Sequence, residues 1–224
     1  MISIIIPALN EAATLERTLA AVMQIDGDKE VIVVDGGSDD ATAEIAARCG
    51  AMVIKAERGR GLQMDAGASL ARGDVLWFVH ADSIPPGESI REIEHALEDP
   101  RVTSGNFSIV FEGSTIAARH LTWTYPRLRM LGLYYGDAGI FVRRSAYDEV
   151  GGFRPYPLFE DLDLVKRLKR HGRFVNLRCR LIASSRRFEN KSYGRVWAIW
   201  IVLQLLFWFG VSPNRLARWY AHAR

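Results

Sequence analysis

Cysteine is scarce in this 224-residue chain, with only Cys49 and Cys179, and neither stands in a CxxC or other metal-ligand spacing. That excludes a disulfide framework and a cysteine-held metal, and leaves two reduced thiols, as expected of a cytosolic chain. Proline is also thin, at eight residues, and no Pro/Gly linker, internal repeat or low-complexity tract divides the sequence before about residue 190. The start, Met-Ile-Ser-Ile-Ile-Ile-Pro, has no charged n-region and no apolar stretch of signal length, so no secretion signal is expected. The longest apolar run, residues 196–211, is broken only by Gln204. As a helix it would reach about 24 Å, short of the ~30 Å hydrocarbon core, so spanning a membrane is not expected. Acids are lacking toward the C-terminus: residues 166–224 hold 14 Lys and Arg against the single acid Glu189, whereas the first 165 residues carry 15 basic against 25 acidic.

What is present points to a folded enzyme-sized domain. With 49% hydrophobic and 25% charged residues the chain matches globular averages, which argues against disorder or a fibrous repeat. Short β-branched runs at Ile2–Ile6, Val31–Val34, Met52–Lys55 and Val75–Val79 alternate with helix-like stretches Glu11–Met23, Ala41–Cys49 and Leu62–Ala71. This is the pattern of βαβ units around a mostly parallel sheet. A strand is expected at Asn106–Phe111, another at Ile140–Arg143, and a helix from about Asp161 to His171.

In open α/β sheets ligands bind beyond the carboxyl ends of the strands. Those ends here read Pro7-Ala-Leu-Asn-Glu11, Asp35-Gly-Gly-Ser-Asp-Asp40 and His80-Ala-Asp-Ser83. Asp35, followed by Gly36 and Gly37, can accept hydrogen bonds from a base or ribose, or can simply open a turn ahead of a helix capped by Asp39 or Asp40. Asp82, with His80 nearby, suits a hard divalent cation that takes most of its ligands from phosphates and water; an ordinary turn before Pro85 is the other reading. Glu160, Asp161 and Asp163 open the late helix, where a carboxylate either serves the helix dipole or deprotonates an acceptor hydroxyl. Gly59-Arg60-Gly61 joins a flexible loop, a cation and a helix start, a weak phosphate signal by itself. Neither the P-loop spacing nor a GxGxxG is present.

Together these segments resemble the family 2 glycosyltransferases. The matching stretches are Ile4-Ile-Ile-Pro-Ala-Leu-Asn-Glu11, Glu30-Val-Ile-Val-Val-Asp-Gly-Gly-Ser-Asp-Asp-Ala-Thr42, Gly59-Arg-Gly61 with Gln63 and Gly67, Phe78-Val-His-Ala-Asp-Ser83, Gly139-Ile-Phe-Val-Arg-Arg144 and Phe159-Glu-Asp-Leu-Asp-Leu164. The resemblance covers roughly residues 2–190 and implies a GT-A fold: a Rossmann-like, mostly parallel sheet flanked by helices. It also implies inverting transfer of one sugar from a nucleotide diphosphate-sugar.

Residue by residue, the resemblance places the nucleotide-sugar on Pro7, Ala8, Asn10, Glu11, Asp35, Gly36, Arg60, His80, Ala81, Asp82 and Asp137. It places Mn²⁺ or Mg²⁺ on Asp82 and the catalytic base on Asp161 beside Glu160. His80 stands where the family's metal-binding element usually has its first acid. Ser184-Ser-Arg-Arg-Phe188 is similar to the family's late Arg-rich segment, so Arg186 and Arg187 are candidates for donor or acceptor phosphate. The QxxRW of processive members is missing, which suggests single-sugar transfer.

Residues 191–224 are expected to form a basic, aromatic helical tail behind a catalytic domain at 1–190. Trp197, Trp200 and Trp208, flanked by arginines, suit an interfacial helix on anionic lipid through 192–219. Packing against the domain or in a dimer is the other outcome. The expected setting is therefore cytoplasmic, on the inner membrane face, with an acceptor suggested to be lipid-linked and no nucleic acid. Two other functions compete: nucleotidyl transfer, disfavoured because Pro7–Glu11 is no glycine-rich arginine loop, and a degenerate transferase acting as a membrane- or nucleotide-binding module.

Overall fold

The computed structural model describes residues 1–130, 138–185 and 193–223. Eight strands form one sheet in the order β3-β2-β1-β4-β7-β6-β8-β5. The first four are β1 (Ile2–Ala8), β2 (Lys29–Asp35), β3 (Met52–Lys55) and β4 (Val75–Phe78). The others are β5 (Ser83–Ile84), β6 (Val102–Phe111), β7 (Ile140–Arg143) and β8 (Arg173–Ala183). Strands β1 to β4 run parallel to one another; β6 and β8 run the same way, separated from β4 by the antiparallel β7, and β5 pairs antiparallel at the edge. The mostly parallel α/β architecture expected from the sequence is the one observed.

The two faces of the sheet follow from residue alternation. Ile2, Ile4, Ile6, Val31, Val33 and Trp77 pack on one face, against α1 (Leu15–Met23), α4 (Ser89–Leu97) and α5 (Ile116–Met130). Helix α2 (Thr42–Arg48) contributes Ala46 to that same layer. Ile5, Ile32, Val34, Leu76 and Phe78 pack on the other, against α3 (Arg60–Leu70), α6 (Arg144–Glu149) and α7 (Glu160–His171). Apart from Ser3, Lys29, Glu30 and Asp35, each of which is hydrogen-bonded, the residues of β1, β2 and β4 are apolar, and both faces are covered, as a parallel sheet requires.

A third, separate core joins the end of the chain to the domain. Helix α8 (Tyr193–Trp208) and α9 (Pro213–Ala223) bury Leu203 and Leu216 against Leu158, Phe159 and Leu162. The Phe159 ring lies 5.8 Å from Trp200 and 5.0 Å from Phe207. One side of the tail is thus internal packing. No helix among the described residues is long and apolar enough to cross a membrane. Cys49 and Cys179 are both free thiols. Burial first, and then Glu92 and Glu88, push the Cys179 thiol up to about 11, so it stays protonated and unreactive.

Several boundaries differ from expectation. Helix α1 starts at Leu15, because residues 9–12 are held by the neighbouring loop instead. Strand β6 begins four residues early, at Val102. β8, for which no strand was expected, alternates exposed Arg178 and Arg180 with buried Leu177 and Leu181.

Candidate active site

Strands β1, β4, β6 and β8 all end at the same edge of the sheet, and a cleft of about 380 Å³ opens there. Its volume falls in the range of small-molecule sites. Pro7, Ala8, Leu9 and Glu11 come from the β1 end, His80, Ala81, Asp82 and Ser83 from the β4 end. Phe111 ends β6, Ala183 and Ser184 end β8, and Arg58, Gly59, Arg60 and Gln63 surround the start of α3.

The β1 loop is fixed by its neighbour after β2. Asn10 adopts a left-handed φ of 55°, unusual for a residue with a side chain. Its N–H donates to Ser38 Oγ at 2.9 Å while its side-chain oxygen accepts from Asp39 N–H at 2.8 Å. Glu11 N–H donates to Thr42 Oγ1 at 2.8 Å, and Ala12 N–H to Asp40 Oδ2 at 3.2 Å. Asp40 also accepts from Thr42 N–H, and the Thr42 hydroxyl and these amides hold its carboxyl below the usual range. The N-cap position of α2 is Ala41, which makes no side-chain cap bond, and of Asp39 and Asp40 it is Asp40 that accepts from the first helical amide, at Thr42.

Asp35, 2% exposed, accepts from Ser38 N–H at 3.1 Å and from Ser38 Oγ at 2.5 Å. Gln63 stitches the two strand ends together, its Nε2 donating to Ala8 O at 2.9 Å and to Val34 O at 2.8 Å. A Cβ on Gly36 would stand 3.0 Å from that amide, so glycine gives Gln63 its room.

The start of α7 reaches the cleft through an ion pair. Arg60 Nε donates to Glu160 Oε1 at 2.8 Å; Arg60 is one-third exposed, Glu160 only 2%. Glu160 Oε2 is buried and has no hydrogen-bond partner among the described residues. A Cβ on Gly61 would come 2.7 Å from Arg154 O, so α3 can lie against this segment only with glycine there. Phe159 just before Glu160 has φ 62°, the second side-chain-bearing residue in the left-handed region. Asp161 follows, partly exposed, with Oδ1 accepting from Leu162 N–H at 2.8 Å. Asp163 belongs to the scaffold, bonded to Arg154 at 3.2 Å and Arg167 at 2.7 Å.

Of the residues expected from the sequence, Pro7, Ala8, Glu11, Arg60, His80, Ala81 and Asp82 line the cleft together. Asn10, Asp35, Gly36, Glu160 and Asp161 are not among its lining residues; the first three belong to the loops beside it, Glu160 pairs with Arg60, and Asp161 follows Glu160 in the first turn of α7. Asp137, Arg186 and Arg187 lie outside the described residues. Arg58, Gln63, Phe111 and Pro157 also line the cleft. Gln63 belongs to a stretch that carried the resemblance, and Arg58 stands one residue ahead of the Gly59-Arg60-Gly61 turn.

Among the described residues no three His, Cys, Asp or Glu side chains stand close enough to cage a metal ion. Asp82 and His80, both lining the cleft, fit an ion that completes its shell with diphosphate and water oxygens.

Comparison with known proteins agrees with this geometry. The family model described as "Glycosyl transferase family 2" matches residues 3–157. Glycosyltransferase AglD of Haloferax volcanii is 30% identical over 176 residues, covering 69% of this chain and 26% of its own. The undecaprenyl-phosphate 4-deoxy-4-formamido-L-arabinose transferase of Pectobacterium carotovorum is 36% identical over 110 residues, 43% of this chain and 34% of its own. The chain thus matches about a third or less of the length of these curated relatives. Among solved structures, the mannosyltransferase PcManGT of Pyrobaculum calidifontis, in complex with GDP-Man and Mn²⁺, superposes with a TM-score of 0.72 at 20% identity. That alignment covers 91% of this chain and 61% of the other, and it shows a shared fold. With its family model spanning more than half of the sequence, the chain belongs to glycosyl transferase family 2.

Proposed function

We propose that the protein transfers a single sugar from a nucleotide diphosphate-sugar to an acceptor hydroxyl, with inversion at the anomeric carbon. The observation that carries this reading is one cleft lined by Pro7, Glu11, Arg60, His80 and Asp82, with the segment bearing Asp161 tied to its rim by the Arg60–Glu160 pair. The β1 loop and Asp35 region would hold the nucleotide, and Arg60 with Arg58 would offset charge on the departing diphosphate. Asp161 would take the proton from the acceptor hydroxyl as its oxygen attacks the anomeric carbon and the sugar–phosphate bond breaks, the electron pair leaving with the diphosphate. Inversion in one displacement needs no covalent intermediate. Asp82, with His80 beside it, would hold Mn²⁺ or Mg²⁺, which when bound supplies Lewis-acid neutralisation of the diphosphate.

The mannosyltransferase complex with GDP-Man and Mn²⁺ supports a nucleotide-sugar and a divalent cation for this fold. The undecaprenyl-phosphate-named relative supports a lipid-linked acceptor. We assign residues 1–190 to catalysis and 192–219 to peripheral contact with the inner face of the cytoplasmic membrane.

Thermal melting with UDP, GDP, CDP and dTDP, each with and without Mn²⁺, tests the donor site. One nucleotide should raise Tm in a metal-dependent way and Asp82→Ala should lose that shift. Asp161→Asn should abolish transfer while leaving nucleotide affinity nearly intact. A Tm unmoved by every nucleotide would sink the donor assignment, and loss of nucleotide binding in Asp161→Asn would sink the base.

A further inference from the structure

Three helices differ from all the others in charge. Every one of α1 to α4, α6 and α7 contains Asp or Glu, while α5, α8 and α9 contain none and carry Arg119, Arg127, Arg195, Arg215 and Arg218 among their residues. The same three helices hold most of the large apolar side chains that face outward. On α8 the exposed stripe is Ile201, Val202, Leu205 and Trp208, continued by Phe209 at 84% exposure. On α9 it is Trp219, and on α5 it is Ile116 at 85% and Trp123 at 57%. Ile116, Arg119, Trp123 and Arg127 recur at helical spacing on one face of α5, opposite the buried Ala117, Ala118 and Leu121.

Topology brings these helices to the same edge as the cleft. Helix α5 begins five residues beyond Phe111, and the α8–α9 core rests on Leu158, next to Pro157; Phe111 and Pro157 both line the cleft. The guanidinium of Arg127 lies 3.6 Å over the Trp123 ring, an aromatic–cation pair suited to the headgroup level of a bilayer.

We infer that α5 is a second membrane-contact element, and that with α8–α9 it seats an anionic bilayer around the mouth of the cleft. This rests on the membrane reading of the tail and extends it to α5. The occupant follows from charge: an acid-free, arginine-bearing apolar rim on a chain whose first 165 residues are net acidic complements anionic headgroups over acyl chains. A cleft seated in this way admits its acceptor from the lipid side and its nucleotide from water.

The test is co-sedimentation of the full chain with vesicles of phosphatidylglycerol and phosphatidylethanolamine, against vesicles of phosphatidylcholine alone. Ile116→Ser with Trp123→Ser should weaken partitioning about tenfold, from the apolar area withdrawn, with its melting temperature kept because both side chains are outward. Trp208→Ser with Phe209→Ser should do the same, and Met52→Ser, an exposed apolar residue at the far end of the strands, should change nothing. Arg119→Gln with Arg127→Gln should weaken binding to the anionic vesicles only and flatten its salt dependence. Wild-type partitioning by the α5 variants, or equal binding to phosphatidylcholine, overturns the inference. So does light scattering that shows a dimer dissolved by Ile116→Ser and Trp123→Ser, which would make this face a protein interface. Nucleotide-induced melting shifts are read without vesicles, so a failed donor site and a failed docking face give separate signatures.

Discussion

At Arg60 a single guanidinium serves a buried carboxylate on one side and an open cleft on the other. The two partners are unequal, because Glu160 is 2% exposed and Arg60 one-third exposed. Arg60→Met leaves a carboxylate stranded out of water and should cost about 3 kcal/mol at pH 7; Glu160→Gln leaves a cation that water still reaches and should cost about 1 kcal/mol. Urea titration of both variants at pH 7 checks this order, and an Arg60→Met deficit no larger than that of Glu160→Gln would show that Glu160 is not what the substitution strands. At this scale the sequence was most informative for residues that touch solvent at strand ends: Pro7, Glu11, His80 and Asp82 were legible because position after an apolar run decides where they stand. Asp35 was read as a ligand or a turn former; the structure shows its turn bonds to Ser38 and leaves the ligand role to experiment. Gln63 was legible as part of the stretch that resembles the family, but not its role, which depends on two carbonyls 29 and 55 positions away in the chain.

Phe159 links α7 to α8. Its left-handed backbone is held by Trp200 and Phe207, so packing energy from α8 sustains a conformation that a free segment would avoid. Phe159→Ala should cost about 3 kcal/mol by loss of that packing. Because the first turn of α7 would then be less well held, turnover should fall more than nucleotide affinity does. Steady-state kinetics beside nucleotide titration checks this, and an equal loss in both would place Phe159 in general stability alone. The apolar run 196–211 was legible as a helix, but not the fact that it has two apolar faces, one for Phe159 and one outward. β8 escaped notice because its three arginines read as charge, although their alternation with Leu177 and Leu181 is a strand pattern. Helix α5 was masked by Pro126 in its interior and by Thr and aromatic residues of modest helix propensity.

The charge asymmetry read from the sequence looks different when the whole molecule is assembled. Part of the late positive charge is paired internally, Arg167 with Asp163 and Arg173 with Asp99, while Lys166, Lys169 and Arg170 are exposed on α7 and Arg195, Arg215 and Arg218 lie on α8 and α9. Fold class and the mostly parallel sheet were legible because both depend on local alternation of strands and helices. The third core was not, since it joins residues some forty positions apart through aromatic contacts. That arrangement has a kinetic consequence. Helix α7 belongs to two cores at once, with Leu164, Val165 and Leu168 in a sheet layer and Leu162 in the tail's own cluster. A fluctuation that detaches α8 should unravel the first turn of α7 and leave the rest of the helix closed. Amide hydrogen exchange at residues 160–163 should then keep time with α8, while exchange at residues 164–171 waits for the sheet to open.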